Sequence, residues 1–311
     1  MTELNYIFIG FTAMLAGGFW GMGGGWYIVP ALLILGINNE VAKAASLLQM
    51  CGSTFLTVIK QFKSIGWQRG EIGLLVALPL CGMAFVGGFF GKFLNSFVMN
   101  VLHWDFLDEI LFISLMLWIA YNSFKVDEKH IAKTAKFKHK PILVSFSGFG
   151  VGALAAFLGI GGGTLNRPLL TNILHVKEQY TGKICRLAVF LTAISGAFSY
   201  LFLSNGNLSV NFSNDAKSAM YCALFLVGGG SLGYPLGAFL HSYTVKAKNE
   251  HNISKSFSGV ALLVGASLLL KLLELKILSQ IFLFSSGGII MIYLTFLTLH
   301  SRKKIKSFLE E

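Results

Sequence analysis

The sequence predicts an all-α polytopic membrane protein made of two inverted repeats. Three observations predict it: a series of long apolar runs, basic residues gathered in alternate connections, and a glycine–proline motif that occurs twice. Of the 311 residues, 54% are hydrophobic and 13% charged, where a soluble domain carries about 25% charged residues. A helix needs about 20 apolar residues to cross the hydrocarbon core. Runs of that kind recur along the whole chain, which no single soluble core would bury.

Spanning helices are expected near residues 4–21, 41–62, 70–94, 106–124, 141–159, 178–203, 217–241, 255–271 and 277–299. Two shorter apolar pieces, near 26–36 and 164–175, each follow a glycine cluster and are too short to cross alone. The start carries Glu3 and no basic cluster, so it does not read as a cleaved signal peptide.

The net charge of +11 is distributed as a bilayer protein distributes it. Lys60, Lys63 and Arg69 lie in one connection, six lysines in 125–140, Lys246, Lys248 and Lys255 in another, and Arg302, Lys303, Lys304 and Lys306 in the tail. The connections 95–105 and 204–216 hold no Lys or Arg. The positive-inside rule makes the basic group, with the C-terminus, cytoplasmic and the other two external, in a membrane of the bacterial inner type. Anionic lipid, not nucleic acid, is the expected partner of these charges. Cys51, Cys81, Cys185 and Cys222 sit in apolar segments without metal or redox spacing, and read as buried free thiols.

The internal repeat has two echoes. Gly21, Gly23, Gly24, Gly25 and Pro30 recur 138 positions later as Gly159, Gly161, Gly162, Gly163 and Pro168. Gly87, Gly91, Phe93 and Leu94 recur 146 positions later as Gly233, Gly237, Phe239 and Leu240. Corresponding connections carry opposite charge character: 60–71 is basic and 204–216 is not, while 95–105 lacks basic residues and 241–255 has them. The halves are therefore expected to be inverted, as in many secondary transporters. Residues 1–124 form the first repeat, 125–140 a basic cytoplasmic linker, 141–275 the second repeat, and 276–311 an extra helix with a basic tail.

Three glycines in a row break a helix and allow left-handed backbone. Such backbone at membrane depth is tolerated only where protein covers it or water reaches it. The short helix after each break presents free N–H groups and the positive end of its dipole, which together suit an anion. Expected binding groups are Gly23, Gly24, Gly25 and Trp26 in the first copy and Gly161, Gly162, Gly163, Thr164 and Asn166 in the second. Arg167 is a charge in an apolar setting, read either as an anion ligand or as an arginine that fixes the hairpin. Ser46 with Gln49, and Lys183 with Arg186, are helix-face pairs three apart that read as ligands or as helix-packing and helix-end residues. Gly87, Gly88, Gly91, Gly233 and Gly237 read as close-packing positions. Among the histidines, His175 near a hairpin end is a candidate proton relay or a simple interface residue.

Neither a metal site nor a cofactor is expected. No nucleophile, triad or phosphate-binding motif suggests an enzyme. Glu40, Glu71, Asp105, Asp108, Glu109 and Glu178 fall near span ends, which argues against a cation carrier and leaves energy coupling unexplained.

At GGFWGMGGGWYIVPALL, the following EVAKAASL, and LGIGGGTLNRPLL, the chain resembles the TauE/SafE family of sulfite and organosulfonate exporters. The resemblance covers nearly the whole length. It implies a secondary transporter of a small sulfur-containing or organic anion. Arg167 stands where the family commonly has an apolar residue, and Gly182-Lys183-Ile184 replaces its usual Ala-Thr-Ser element. These departures imply a larger or more highly charged anion. An anion channel on the same scaffold, or a non-transporting membrane assembly protein, remains as an alternative. A homo-oligomer is compatible with the sequence.

Overall fold

The structure, a computed structural model, describes residues 3–100, 107–124, 141–174, 176–204, 207–208, 214–246 and 250–310. The basic linker 125–140 and His175 lie outside them. Eleven helices appear among the described residues: α1 (Glu3–Trp20), α2 (Gly25–Ile34), α3 (Asn39–Phe62), α4 (Leu78–Asn100), α5 (Leu107–Phe124), α6 (Pro141–Leu158), α7 (Gly163–Pro168), α8 (Glu178–Phe202), α9 (Asn214–Lys246), α10 (Glu250–Leu272) and α11 (Lys276–Glu310). A π-helical turn, Gly73–Ala77, leads into α4, and another, Leu169–Ile173, extends α7. Six segments are long and apolar enough to cross a bilayer.

The molecule carries many large apolar side chains on its outside and buries polar ones within an apolar core. Leu4, Phe146, Leu224, Leu232, Ile277 and Ile292 are among the most exposed side chains, while Lys43, Ser46, Gln49, Thr54 and Asn95 are buried. In water that distribution would be unstable. In lipid it is expected, because polar groups gain from burial inside a bundle that satisfies them.

Local sequence sets the helix ends. Asn38 caps α3, its side chain accepting from the Glu40 amide at 3.0 Å, and Glu40 sits in the first turn where the dipole favours a negative charge. Both α1 and α6 end in the same left-handed glycine cap. Gly21 (φ +72°) and Gly159 (φ +73°) turn the chain, and the next amide reaches back five residues, Met22 to the Gly17 carbonyl at 3.0 Å and Ile160 to the Ala155 carbonyl at 2.9 Å. After α8 the backbone pairs with itself in a two-residue ladder, Leu203–Ser204 against Asn207–Leu208, within a stretch read from sequence as a plain solvated loop.

Packing is reciprocal between the halves. α1 lies along α9 and α6 along α4, while α3 packs on α8 and α5 on α10. The glycines show why such close contact is available. A Cβ on Gly87 or Gly91 of α4 would strike the carbonyls of Phe149 or Ala153 in α6. A Cβ on Gly233 or Gly237 of α9 would strike those of Phe11 or Leu15 in α1. These pairs repeat the sequence offsets residue for residue, so both sets act as packing glycines.

Candidate functional site

The two glycine breaks meet. After each cap the chain folds back beside its own first helix, with Gly24 against Ala13 and Met14, and Gly162 against Ala155 and Val151. The turns then interlock. A Cβ on Gly25 would lie 2.7 Å from the Ile160 Cα, and one on Gly163 would strike the Met22 backbone. Gly23 and Gly161 face the same two side chains, Met50 of α3 and Val189 of α8. Only glycine allows the two backbones this approach. Gly21, Gly23, Gly159, Gly161 and Gly162 also hold positive φ.

The two copies differ in one torsion. Gly162, the residue before α7, is left-handed (φ +80°), whereas its counterpart Gly24 before α2 is right-handed (φ −99°). Each short helix starts at the crossing, so the first-turn amides that lack intrahelical partners lie there. Side chains add to these. The Trp26 indole Nε1, the Thr164 hydroxyl and the Asn166 amide are buried and have no hydrogen-bond partner among the described residues. Buried polar groups are nearly always satisfied, and these three lie in the first turns of the two short helices. Pro30 lies inside α2, and Pro168 ends α7 where the π turn begins, so neither proline caps a helix.

The other predicted groups divide. Ser46 belongs to the crossing, its hydroxyl donating to the Gly159 carbonyl at 2.8 Å. Gln49 does not: it turns toward Gly230 of α9 and donates to Ser53 at 3.0 Å. Arg167 donates to the Trp20 carbonyl, at the C-terminal end of α1 where a cation is favoured. Arg186 donates to the Gln61 side chain at 2.8 Å, and its Nε has no protein partner. The two guanidinium groups approach each other over Gly21, whose Cβ position is 3.8 Å from one and 4.0 Å from the other. Lys183 separates from Arg186. It is drawn to the Ser64 carbonyl at 3.0 Å on an exposed surface.

Sequence reasoning missed a second charged group on the opposite side of the crossing. Lys43 of α3 is buried with its stem against Gly159, and its ammonium pairs with the buried Asp108 carboxylate of α5. Asn39 and Asn95 also donate to the same Asp108 oxygen, at 2.5 and 3.3 Å. Beside them Lys92 of α4 pairs with Glu40 at 2.5 Å. The available signal was Lys43 itself, a charge within the apolar-small EVAKAASL stretch and one turn before Ser46.

Comparison with known proteins agrees with this architecture. The family described as "Sulfite exporter TauE/SafE" matches residues 6–268. The probable membrane transporter protein YunE of Bacillus subtilis (strain 168) is 26% identical over 262 residues, 78% of this chain and 89% of that protein. The probable membrane transporter protein MJ0441 of Methanocaldococcus jannaschii is 26% identical over 204 residues, 63% of this chain and 71% of its own length. No solved structure matches. A family match over most of the chain, a bundle with an apolar exterior and paired glycine breaks at its centre make this an integral membrane transporter, and the chain belongs to the TauE/SafE family.

Proposed function

We propose that the chain is a secondary transporter that binds a small oxyanion, a sulfur oxyanion, an organosulfonate or an organic acid, at the crossing of its two glycine breaks. The observation that carries this reading is the set of unpartnered buried groups, Trp26 Nε1, Thr164 Oγ1 and the Asn166 amide, in the first turns of α2 and α7. Helix N-termini favour negative charge. Arg167 and Arg186 add positive potential nearby, and a guanidinium offers the forked donors that suit paired anion oxygens.

The reciprocal packing supports an inverted-repeat carrier, in which one half rocks against the other about a central site. The charge of the connections supports placing the Arg167–Arg186 end toward the cytoplasm and the Asp108 end outside, in a bacterial cell membrane. The test is purified full-length protein in liposomes, loaded with and exposed to thiosulfate, sulfite, isethionate and lactate in turn. Saturable counterflow of at least one of these is expected. Large single-channel currents would favour a channel instead. Neither binding nor movement of any anion would reduce the glycines to packing.

A further inference from the structure

The Lys43–Asp108 cluster is unbalanced in its hydrogen bonds. Among the described residues, one Asp108 carboxylate oxygen takes three donors, from Lys43, Asn39 and Asn95, and the other takes none. The Asn39 and Asn95 side-chain oxygens are also buried without protein partners. Among the described residues, three buried acceptors of this cluster therefore have no donor. A proton on the free Asp108 oxygen would turn one acceptor into a donor, within a cluster that holds two amide oxygens able to receive it.

We infer that Asp108 is the coupling-proton site of this transporter, and that its protonation frees Lys43 to hold the substrate anion. The inference rests on the anion-binding reading above. The charges balance at each stage. With Asp108 ionised, its negative charge cancels that of Lys43. A proton from the aqueous phase converts the carboxylate to a carboxylic acid and no other bond breaks. Lys43 stays an ammonium, and the anion at the adjoining crossing replaces Asp108 as its counter-charge. For a monovalent anion the Lys43–Asp108 pair is neutral before and after, as a low-dielectric interior favours.

The geometry links the two places directly, because the Lys43 stem touches Gly159, one of the glycines of the crossing. The other charged groups facing the cluster are compensated. Glu40 pairs with Lys92, whose ammonium also lies 4.8 Å from the Tyr200 ring. On α5 the next residue, Glu109, pairs with Lys271 of α10. The Phe157 ring of α6 lies 5.0 Å from the Lys43 ammonium and brings no charge. Lys92 is buried too, but its partner Glu40 is 42% exposed, whereas Lys43 and Asp108 are 2% and 4% exposed, so protonation of Asp108 leaves a cation uncompensated inside the bundle.

Two measurements on the full chain test this. Infrared difference spectra of the purified protein are taken on acidification, without substrate. A protonated-carboxyl band is expected in the wild type and not in Asp108→Asn. Binding of isethionate and of thiosulfate, neither of which titrates near neutral pH, is then measured against pH. For isethionate, affinity should tighten on acidification, by up to about tenfold per pH unit for one linked proton. Asp108→Asn, fixed in a proton-bound-like state, should bind with no pH dependence. In liposomes it should exchange anion for anion while moving no protons. If Asp108→Asn does not fold, Lys43→Gln combined with Asp108→Asn removes the stranded charge, and should fold, show no carboxyl band and bind weakly at every pH. A wild type without an Asp108 carboxyl band, or with pH-independent binding, overturns the inference. If the wild type binds neither anion, the anion reading fails, and the infrared titration alone judges the proton site.

Discussion

The two ends of the glycine crossing carry similar cations with different partners. At one end Lys43 and Lys92 are matched by Asp108 and Glu40. At the other, Arg167 and Arg186 hold the neutral oxygens of Trp20 and Gln61. A carbonyl or amide oxygen orients a guanidinium toward the crossing, where an anion could meet it. The first end is neutral as long as Asp108 is ionised. A fixed positive field draws an anion inward, and a cancellable one makes its binding depend on a second event.

The largest expected effect comes from breaking the compensated end. Lys43→Met would strand a buried carboxylate, and stranding one partner of a buried pair costs about 3–5 kcal/mol. Thermal unfolding in detergent should show this, and Lys43→Met combined with Asp108→Leu should recover most of the loss. Equal stability of the single and double variants would mean that the pair is not energetically coupled.

Arg167→Ala should act on binding more than on folding. A hydrogen bond to a charged group contributes about 1.5–3 kcal/mol, so anion affinity per folded molecule should fall roughly ten- to more than a hundredfold. The lost contact with the α1 terminus should cost stability only about 0.3–1 kcal/mol. Arg167→Lys should fall between wild type and Arg167→Ala, since it keeps the charge and loses the fork. Wild-type affinity in Arg167→Ala would make this arginine a helix cap alone.

Between the two ends, Gly163→Ala should drive a methyl into the Met22 backbone, an overpacking that costs about 1–3 kcal/mol. Counterflow should be lost while folded protein remains in the membrane. Unchanged counterflow would mean that the turns do not need their close approach. Lys183→Ala should do least. Its partner is an exposed carbonyl on the surface, and a stability change within about 0.5 kcal/mol and unaltered anion affinity are expected.

The sequence carried the long helices and both breaks, because hydropathy and consecutive glycines are local signals, although six and not nine segments among the described residues are long and apolar enough to cross. It also carried the repeat offsets, which the glycine contacts reproduce between α1 and α9 and between α6 and α4. What it did not carry was partnership over distance. Lys43 and Asp108 are 65 positions apart, and Asp108 alone reads as a residue near a span end while Lys43 alone points to no partner. At α8 spacing alone left two readings open, and Lys183, nearer the helix start than Arg186, reaches Ser64 as a helix-end residue does. Gln49 shares a face with Ser46, yet it serves the α9 contact and not the crossing.

The most direct test of the anion site is to locate a bound anion. A structure of the full chain with 2-bromoethanesulfonate, the bromine placed by its anomalous signal, should put the ligand at the crossing. It should lie against the first turns of α2 and α7, between Met50 and Val189 on one side and Arg167 and Arg186 on the other. A bromine found only on the lipid-facing surface or in the connecting segments, with the crossing unchanged, would contradict the account.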